Sequence, residues 1–413
     1  MIINPILFSL QQSKIQKTFL PLQKPDTVKI SIDSDFDKKL FLKRKIMKEN
    51  QDVATFFEDI SMKIFKYKNE DFLSALKNKE FTLSSSVYND TNHPYSAVGV
   101  ELDNKNSTAK NILELEDKIK NGEGVGINFS KFDDPKNEIL KINNYFKYRE
   151  KSTLRPPAGI GLLNIEHPKI LDFITLKDNA DYSKWCFDLS VVIDDEFMKK
   201  IDNNDIAAQK TYQTLLKSMK NSGEPAVIFS NNKNYICDCC AATPLKPSEG
   251  LTLGHINLAK FYNHKTLDYQ KLKKNTQLLA SGLKIVDKNS YIGILGYQDL
   301  LNKMNLEYGS KEANSILENS LKIIQETAHK NGLKTAISPT GTTSRFLKTT
   351  PSIEPKESNY AKEIETMAIA QKYLDGNISK TILLDKNATI DDIDKIIKMS
   401  YKKKLKGISI FNK

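Results

Sequence analysis

Between residues 35 and 80 the apolar positions Leu40, Leu42, Ile46, Val53, Phe56, Phe57, Ile60, Met62, Ile64 and Phe65 recur near a 3.6-residue period among charges, which predicts helices. After residue 80 the texture changes to short apolar runs: 82–87, 97–102, 125–129, 159–164, 188–193, 226–229, 290–295, 334–338 and 407–411. These predict strands. Helical periods fill several of the gaps, at 111–121, 168–177, 195–201, 211–222, 297–305, 311–331, 360–374 and 390–404. Strand and helix alternating at this spacing is the pattern of an α/β protein, and about ten strand candidates favour a barrel over a small open sheet. Residues 1–30 show no period and contain Pro5, Pro21 and Pro25. The expected division is an N-terminal arm and helical cap over 1–80, then one α/β domain over 81–413.

Charge changes this picture little. The net charge is +11, but the arginines are only Arg44, Arg149, Arg155 and Arg345, and the lysines are spread evenly. Nucleic-acid binding calls for a concentrated basic stripe with interleaved aromatics. Lys402, Lys403, Lys404 and Lys406 come nearest to one, so a solvated surface is expected instead. No 18-residue apolar run occurs and the first residues lack a basic leader, so no membrane partner and a cytoplasmic location are expected. Cys186, Cys237, Cys239 and Cys240 do not make a disulfide framework.

Two glycine motifs carry candidate chemistry. Gly122-Glu-Gly-Val-Gly-Ile-Asn-Phe-Ser130 reads as a turn entering a strand, where glycine permits positive φ or a close backbone approach. Ser338-Pro-Thr-Gly-Thr-Thr-Ser344 ends a strand in small residues before a helical stretch. It suits either a phosphate cradle, with Ser338, Thr340, Gly341, Thr342 and Ser344 as binding residues, or a plain capped turn.

In order along the chain, several segments together resemble the large subunit of ribonucleotide reductase over roughly residues 80 to 413. They include Leu83-Ser-Ser-Ser-Val87, the Gly122–Ser130 turn, Arg155-Pro-Pro-Ala-Gly-Ile-Gly-Leu-Leu163, Leu189-Ser-Val-Val-Ile193, Leu253-Gly-His-Ile-Asn-Leu258, Pro339-Thr-Gly-Thr342, Ile353-Glu-Pro355 and Lys406-Gly-Ile-Ser-Ile-Phe411. The resemblance implies a ten-stranded α/β barrel of two five-stranded halves behind the helical cap. It implies reduction of a ribonucleotide to a deoxyribonucleotide by a cysteine thiyl radical, with a homodimer among its assemblies. The last strand carries Ser409 and Ile410 where partner-driven classes carry two tyrosines, and it is similar to the adenosylcobalamin-dependent class, which makes adenosylcobalamin the implied cofactor.

Counting back from Pro244-Leu245 places Cys240 at the family's thiyl position and Asp238 at the position that binds the ribose hydroxyls. The carboxylate position holds Ala242, and the two redox-cysteine positions hold Ser86 and Leu251. Cys237 and Cys239 are the candidate auxiliary thiols. The cysteine loop is open to three readings: relic, redox pair, or soft-metal ligands with His255; no metal is assigned. Two functions follow as alternatives: a reductase of reduced competence, or a non-catalytic, nucleotide-binding reductase-like protein.

Overall fold

The structure, a computed structural model, describes residues 32–153, 155–385 and 387–412. The arm expected over 1–30 and the first part of the cap lie outside these. The described part of 32–80 is helical, at Lys39–Lys43, Val53–Phe65 and Glu70–Lys77, in line with the apolar period. Its longest helix, Val53–Phe65, starts at Asp52, whose carboxylate accepts the Thr55 N–H, and it buries Val53, Phe56, Phe57, Ile60 and Ile64 on one face. The cap docks by aromatic stacking: the Phe41 and Phe346 rings lie parallel, 9° apart in tilt and 4.0 Å between centroids.

The strands are β1 (Phe81–Leu83), β2 (Ala97–Val100), β3 (Gly124–Asn128), β4 (Gly159–Asn164), β5 (Phe187–Ile193), β6 (Ala226–Phe229), β7 (Gly250–Leu251), β8 (Leu253–Asn257), β9 (Tyr291–Leu295), β10 (Lys334–Thr335), β11 (Thr381–Leu384) and β12 (Gly407–Asn412). They pair in a sheet of eight, ordered β11-β12-β6-β5-β4-β3-β2-β7, and a sheet of four, ordered β1-β8-β9-β10. β2 to β6 run parallel. β12 turns antiparallel against β6 and takes β11 in parallel on its other side. β8, β9 and β10 are parallel. The α/β architecture is therefore the expected one, but the pairing falls into eight plus four rather than one continuous ring of ten. The sheets meet at two places. β7 and β8 are one run of chain broken only at Thr252, and a bridge joins Ile337 to Ile378.

Several local expectations change, the strands β7, β8 and β11 among them, since they lie outside the predicted runs. The run 82–87 is a strand only to Leu83; Ser84, extended at φ −64° and ψ 156°, precedes a helix over Ser85–Asn89, and its hydroxyl pairs with Ser86 Oγ instead of capping the helix. Pro135–Arg149, absent from the predicted helices, is a helix capped by Asp134 with proline in its first turn. Tyr269–Val286 is a second unexpected helix. Among the described residues, no helix is long and apolar enough to cross a membrane.

Candidate active site

The cysteine loop leaves β6 and returns as β7. It is a tight hairpin: Cys237 bridges Pro244, the Leu245 N–H donates to the Ile236 carbonyl (2.9 Å), and the Asp238 N–H to the Thr243 carbonyl (3.0 Å). Asp238, buried, holds the tip. Its carboxylate accepts the N–H groups of Thr243 (2.6 Å) and Cys240 (3.0 Å). Burial pushes this carboxyl up to about 6, against the opposing pull of those backbone N–H groups. Ala241 takes the left-handed φ of 57° that closes the turn.

The glycine motif exists to receive this loop. A Cβ on Gly126 would collide with the Cys237 carbonyl, and one on Gly124 with the Cys239 sulfur. On the far side the Ala242 carbonyl accepts the Asn377 N–H (2.6 Å), and the Ala241 carbonyl accepts Asn377 Nδ2 (3.0 Å). The thiols separate accordingly. Cys237 is fully buried with Ile160, Leu162, Val192 and Ile228 from β4, β5 and β6. Cys239 belongs to a different apolar cluster with Ala97, Leu251, Leu253, Tyr291 and Ala336, against which Cys240 packs. The Cys239 and Cys240 sulfurs are 3.9 Å apart. Burial pushes the Cys237 thiol up; the facing Cys239 thiol, then burial, does the same for Cys240. All four cysteines are free.

The residues that the sequence resemblance sets at the family's other site positions are built into the scaffold. Ala242 is buried, Leu251 is part of the apolar cluster beside Cys239, and Ser86 is hydrogen-bonded to Ser84 Oγ (2.9 Å).

The cradle residues gather at the Gly341–Leu347 helix, which follows the strand end at Ser338. Ser338 Oγ is hydrogen-bonded to His255 Nε2 (2.7 Å). Thr340 is left-handed at φ 52°, and its hydroxyl accepts the Ser352 N–H (2.9 Å). Gly341 is exposed, and a Cβ there would meet nothing within 4 Å. Thr342 Oγ1 accepts a hydrogen bond from Arg44 Nη1 (3.0 Å). Ser344 is buried behind them, its N–H on the Thr340 carbonyl.

Three further residues stand around this site, of which Arg155 and His255 lie in segments that carry the family resemblance and Arg44 lies in none. Arg44 comes from the cap; burial, then the charge of Arg155, pulls its guanidinium down to about 10. Arg155 is anchored through Nη1 on the carbonyls of Ser96 (2.9 Å) and Gly122 (2.7 Å). His255, buried, is held neutral by desolvation, which lowers it to about 3, and its Nδ1 has no hydrogen-bond partner among the described residues. For Arg44 the scarcity of arginine is the one sign in the sequence.

Comparison with known proteins completes the picture. Residues 102–208 and 356–411 match the family model described as ribonucleotide reductase, barrel domain. The chain is similar to a vitamin B12-dependent ribonucleoside-diphosphate reductase of Thermoplasma acidophilum, 26% identical over 345 residues, covering 62% of this chain and 44% of the relative. It is similar to the protein of the same description from Mycobacterium tuberculosis, 20% identical over 390 residues, covering 62% of this chain and 56% of that one. The chain thus spans about half the length of these relatives. Its fold is shared with the class Id ribonucleotide reductase alpha subunit of Actinobacillus ureae, at a TM-score of 0.75 and 17% identity, over 95% of this chain and 98% of that one.

Proposed function

The chain is a class II-like relative of the ribonucleotide reductase large subunits, and we propose from that footing that it binds a ribonucleotide by its phosphates but does not sustain ribonucleotide reduction. In this reading strands of the two sheets together form the family's barrel, joined at Thr252 and at the Ile337–Ile378 bridge, with the cysteine loop inside. The phosphates rest on Ser338, Thr340, Gly341, Thr342 and Ser344, where the exposed Gly341 leaves the backbone open to a ligand.

The observation that carries the reading is what stands around Cys240. The chemistry needs a radical-accepting thiol, a carboxylate to move a hydroxyl proton, and a dithiol to supply two electrons. Cys240 fits the first need: it is partly exposed at the loop tip. Adenosylcobalamin, when bound, would supply the radical that such a thiol takes up. The second need is unmet. Ala242 has no acid–base group, and Asp238 falls at the ribose-hydroxyl position of the family pattern, not at the carboxylate position. Losing a general base typically removes ~10²–10⁴-fold in rate. The third need is unmet where the family places it, since Ser86 and Leu251 carry no thiol.

One observation favours a second, narrower reading. Cys239 lies 3.9 Å from Cys240, so this pair could supply the two electrons and two protons of one substrate reduction by closing to a disulfide, and with no second dithiol to reopen it the turnover would be single. The free thiols suit a reducing cytoplasm under either reading. The test is purified protein with adenosylcobalamin, dithiothreitol and labelled CDP or CTP. The expected result is no multiple turnover, alongside nucleotide binding by calorimetry. Steady turnover that disappears in Cys240→Ser would overturn the proposal, and so would a wild type that binds no nucleotide at millimolar ligand.

A further inference from the structure

The loop places two adjacent thiols and a carboxylate together as one donor set, which the reductase-like reading does not call on as a unit. The Cys239 and Cys240 sulfurs are 3.9 Å apart. With an oxygen of Asp238 they form a group of three donor atoms, all within 4.8 Å of one another. We infer that Asp238, Cys239 and Cys240 form a binding site for a thiophilic d10 metal ion, Zn(II) being the physiological candidate.

The sulfur spacing is what tetrahedral coordination asks for. With metal–sulfur bonds of about 2.3 Å, sulfurs 3.9 Å apart subtend about 116° at the ion, close to the tetrahedral angle. The competing fate, a disulfide between neighbours, fits less well. It needs sulfurs about 2.05 Å apart and relaxed Cα atoms at 4.4 Å or more, whereas consecutive Cα atoms are held near 3.8 Å. An ion bridges the pair as it stands.

The surroundings hold these donors in place. The Cys239 sulfur occupies the space that a Cβ on Gly124 would need, so β3 is notched to seat it. The Asp238 carboxylate is aimed by the N–H groups of Cys240 and Thr243, the kind of outer support that orients metal ligands. Cys239 is packed in apolar surroundings, while Cys240 is partly exposed, so an ion can enter and keep one position for water or another ligand. Both thiols must lose their protons to bind, so affinity rises with pH and protons are released. A sulfur committed to metal is not available as a radical acceptor. The site therefore goes beyond the nucleotide-binding reading and does not depend on it.

The probe is Cd(II), added to reduced, chelator-treated protein and followed by its ultraviolet thiolate-to-cadmium charge-transfer band. The expected result is one Cd(II) per chain, a band lost in both Cys239→Ser and Cys240→Ser, and affinity reduced roughly tenfold or more in Asp238→Asn. Cys186→Ser, far from the loop in sequence and buried in the main core, should bind as wild type. Alkylation of the wild type, mapped by peptide mass, guards against variants that misfold: Cd(II) should slow labelling of Cys239 and Cys240 and leave Cys186 unchanged. No band and no protection would overturn the site, as would a band that survives the double serine variant. Formation of a Cys239–Cys240 disulfide in preference to metal binding, on exposure to glutathione disulfide with Cd(II) present, would overturn it too. Sustained reduction by Cys240 would sink the proposed function alone, because the band is read without nucleotide or cobalamin.

Discussion

Gly376→Ala tests whether the cysteine loop is clamped at Ala242 against Gly376 and Asn377. A Cβ at 376 would lie 2.7 Å from the Ala242 carbonyl oxygen and 2.7 Å from Ala336 Cβ, where ordinary contacts begin at 3.4 Å. Both obstacles are backbone or Cβ atoms, so no side chain can swing aside, and φ at 376 is not in the left-handed region, so the cost is contact alone. Something must move by about 0.7 Å on one side or the other. The atom with most freedom is the Ala242 carbonyl, which would stretch its 2.6 Å hydrogen bond from the Asn377 N–H. Overpacking of this kind costs about 1–3 kcal/mol, and weakening one buried hydrogen bond adds about 1 kcal/mol. A destabilisation of about 2–4 kcal/mol is expected in urea unfolding, with faster alkylation of Cys240 in the folded protein. Gly341→Ala is the control: nothing lies within 4 Å of its Cβ, and its stability should stay within about 0.5 kcal/mol of wild type. If Gly376→Ala is also that close to wild type, with alkylation unchanged, the loop does not rest where the argument puts it.

The same open space gives a sharper variant. Gly341→Val should abolish nucleotide binding by calorimetry while leaving the unfolding midpoint nearly unchanged; retained binding would remove Gly341 from the cradle. Asp238 sets a pH dependence. Its carboxyl is raised in the folded protein to about 6 from 3.8, so the folded state holds the proton more tightly than the unfolded one. The stability this contributes is present below about pH 4 and is lost as pH rises to about 6, by roughly 3 kcal/mol at most. Asp238→Asn should remove that part of the slope, and identical slopes for the two proteins between pH 4 and 6 would refute the assignment.

The sequence revealed repetitive features better than singular ones. Amphipathic stretches such as Val53–Phe65 and Lys311–Lys330 were legible because burial on one face imposes a period. Pro135–Arg149 was passed over because its charged and amide residues mask the buried Ile139, Ile142 and Phe146, although Asp134-Pro135 was a usable start signal. β11 was missed because it is only four residues long and alternates in burial. At the site, Gly124 and Gly126 announced a close approach without saying to what; the answer, the Cys237–Cys239 backbone and thiol, lies over a hundred residues away. The position of Asp238 along the chain suggests a substrate contact but gives no sign of the two hydrogen bonds it accepts within its own hairpin. The link from Arg44 to Thr342 spans 298 positions and leaves no local trace.

The position of β12 bears on the order in which the molecule can be assembled. β6 takes one ladder from β5, formed early, and the other from β12, so one of its edges has no partner until residues 407–412 have been made. About 180 residues separate the two, or roughly 10–40 s of synthesis at 5–20 residues per second. For that interval the nascent first half presents a bare parallel edge rich in Val and Ile, the kind of surface that recruits other chains. Yield in a cell should then depend on elongation speed and chaperone supply between residues 230 and 412, more than on the equilibrium stability of the finished fold.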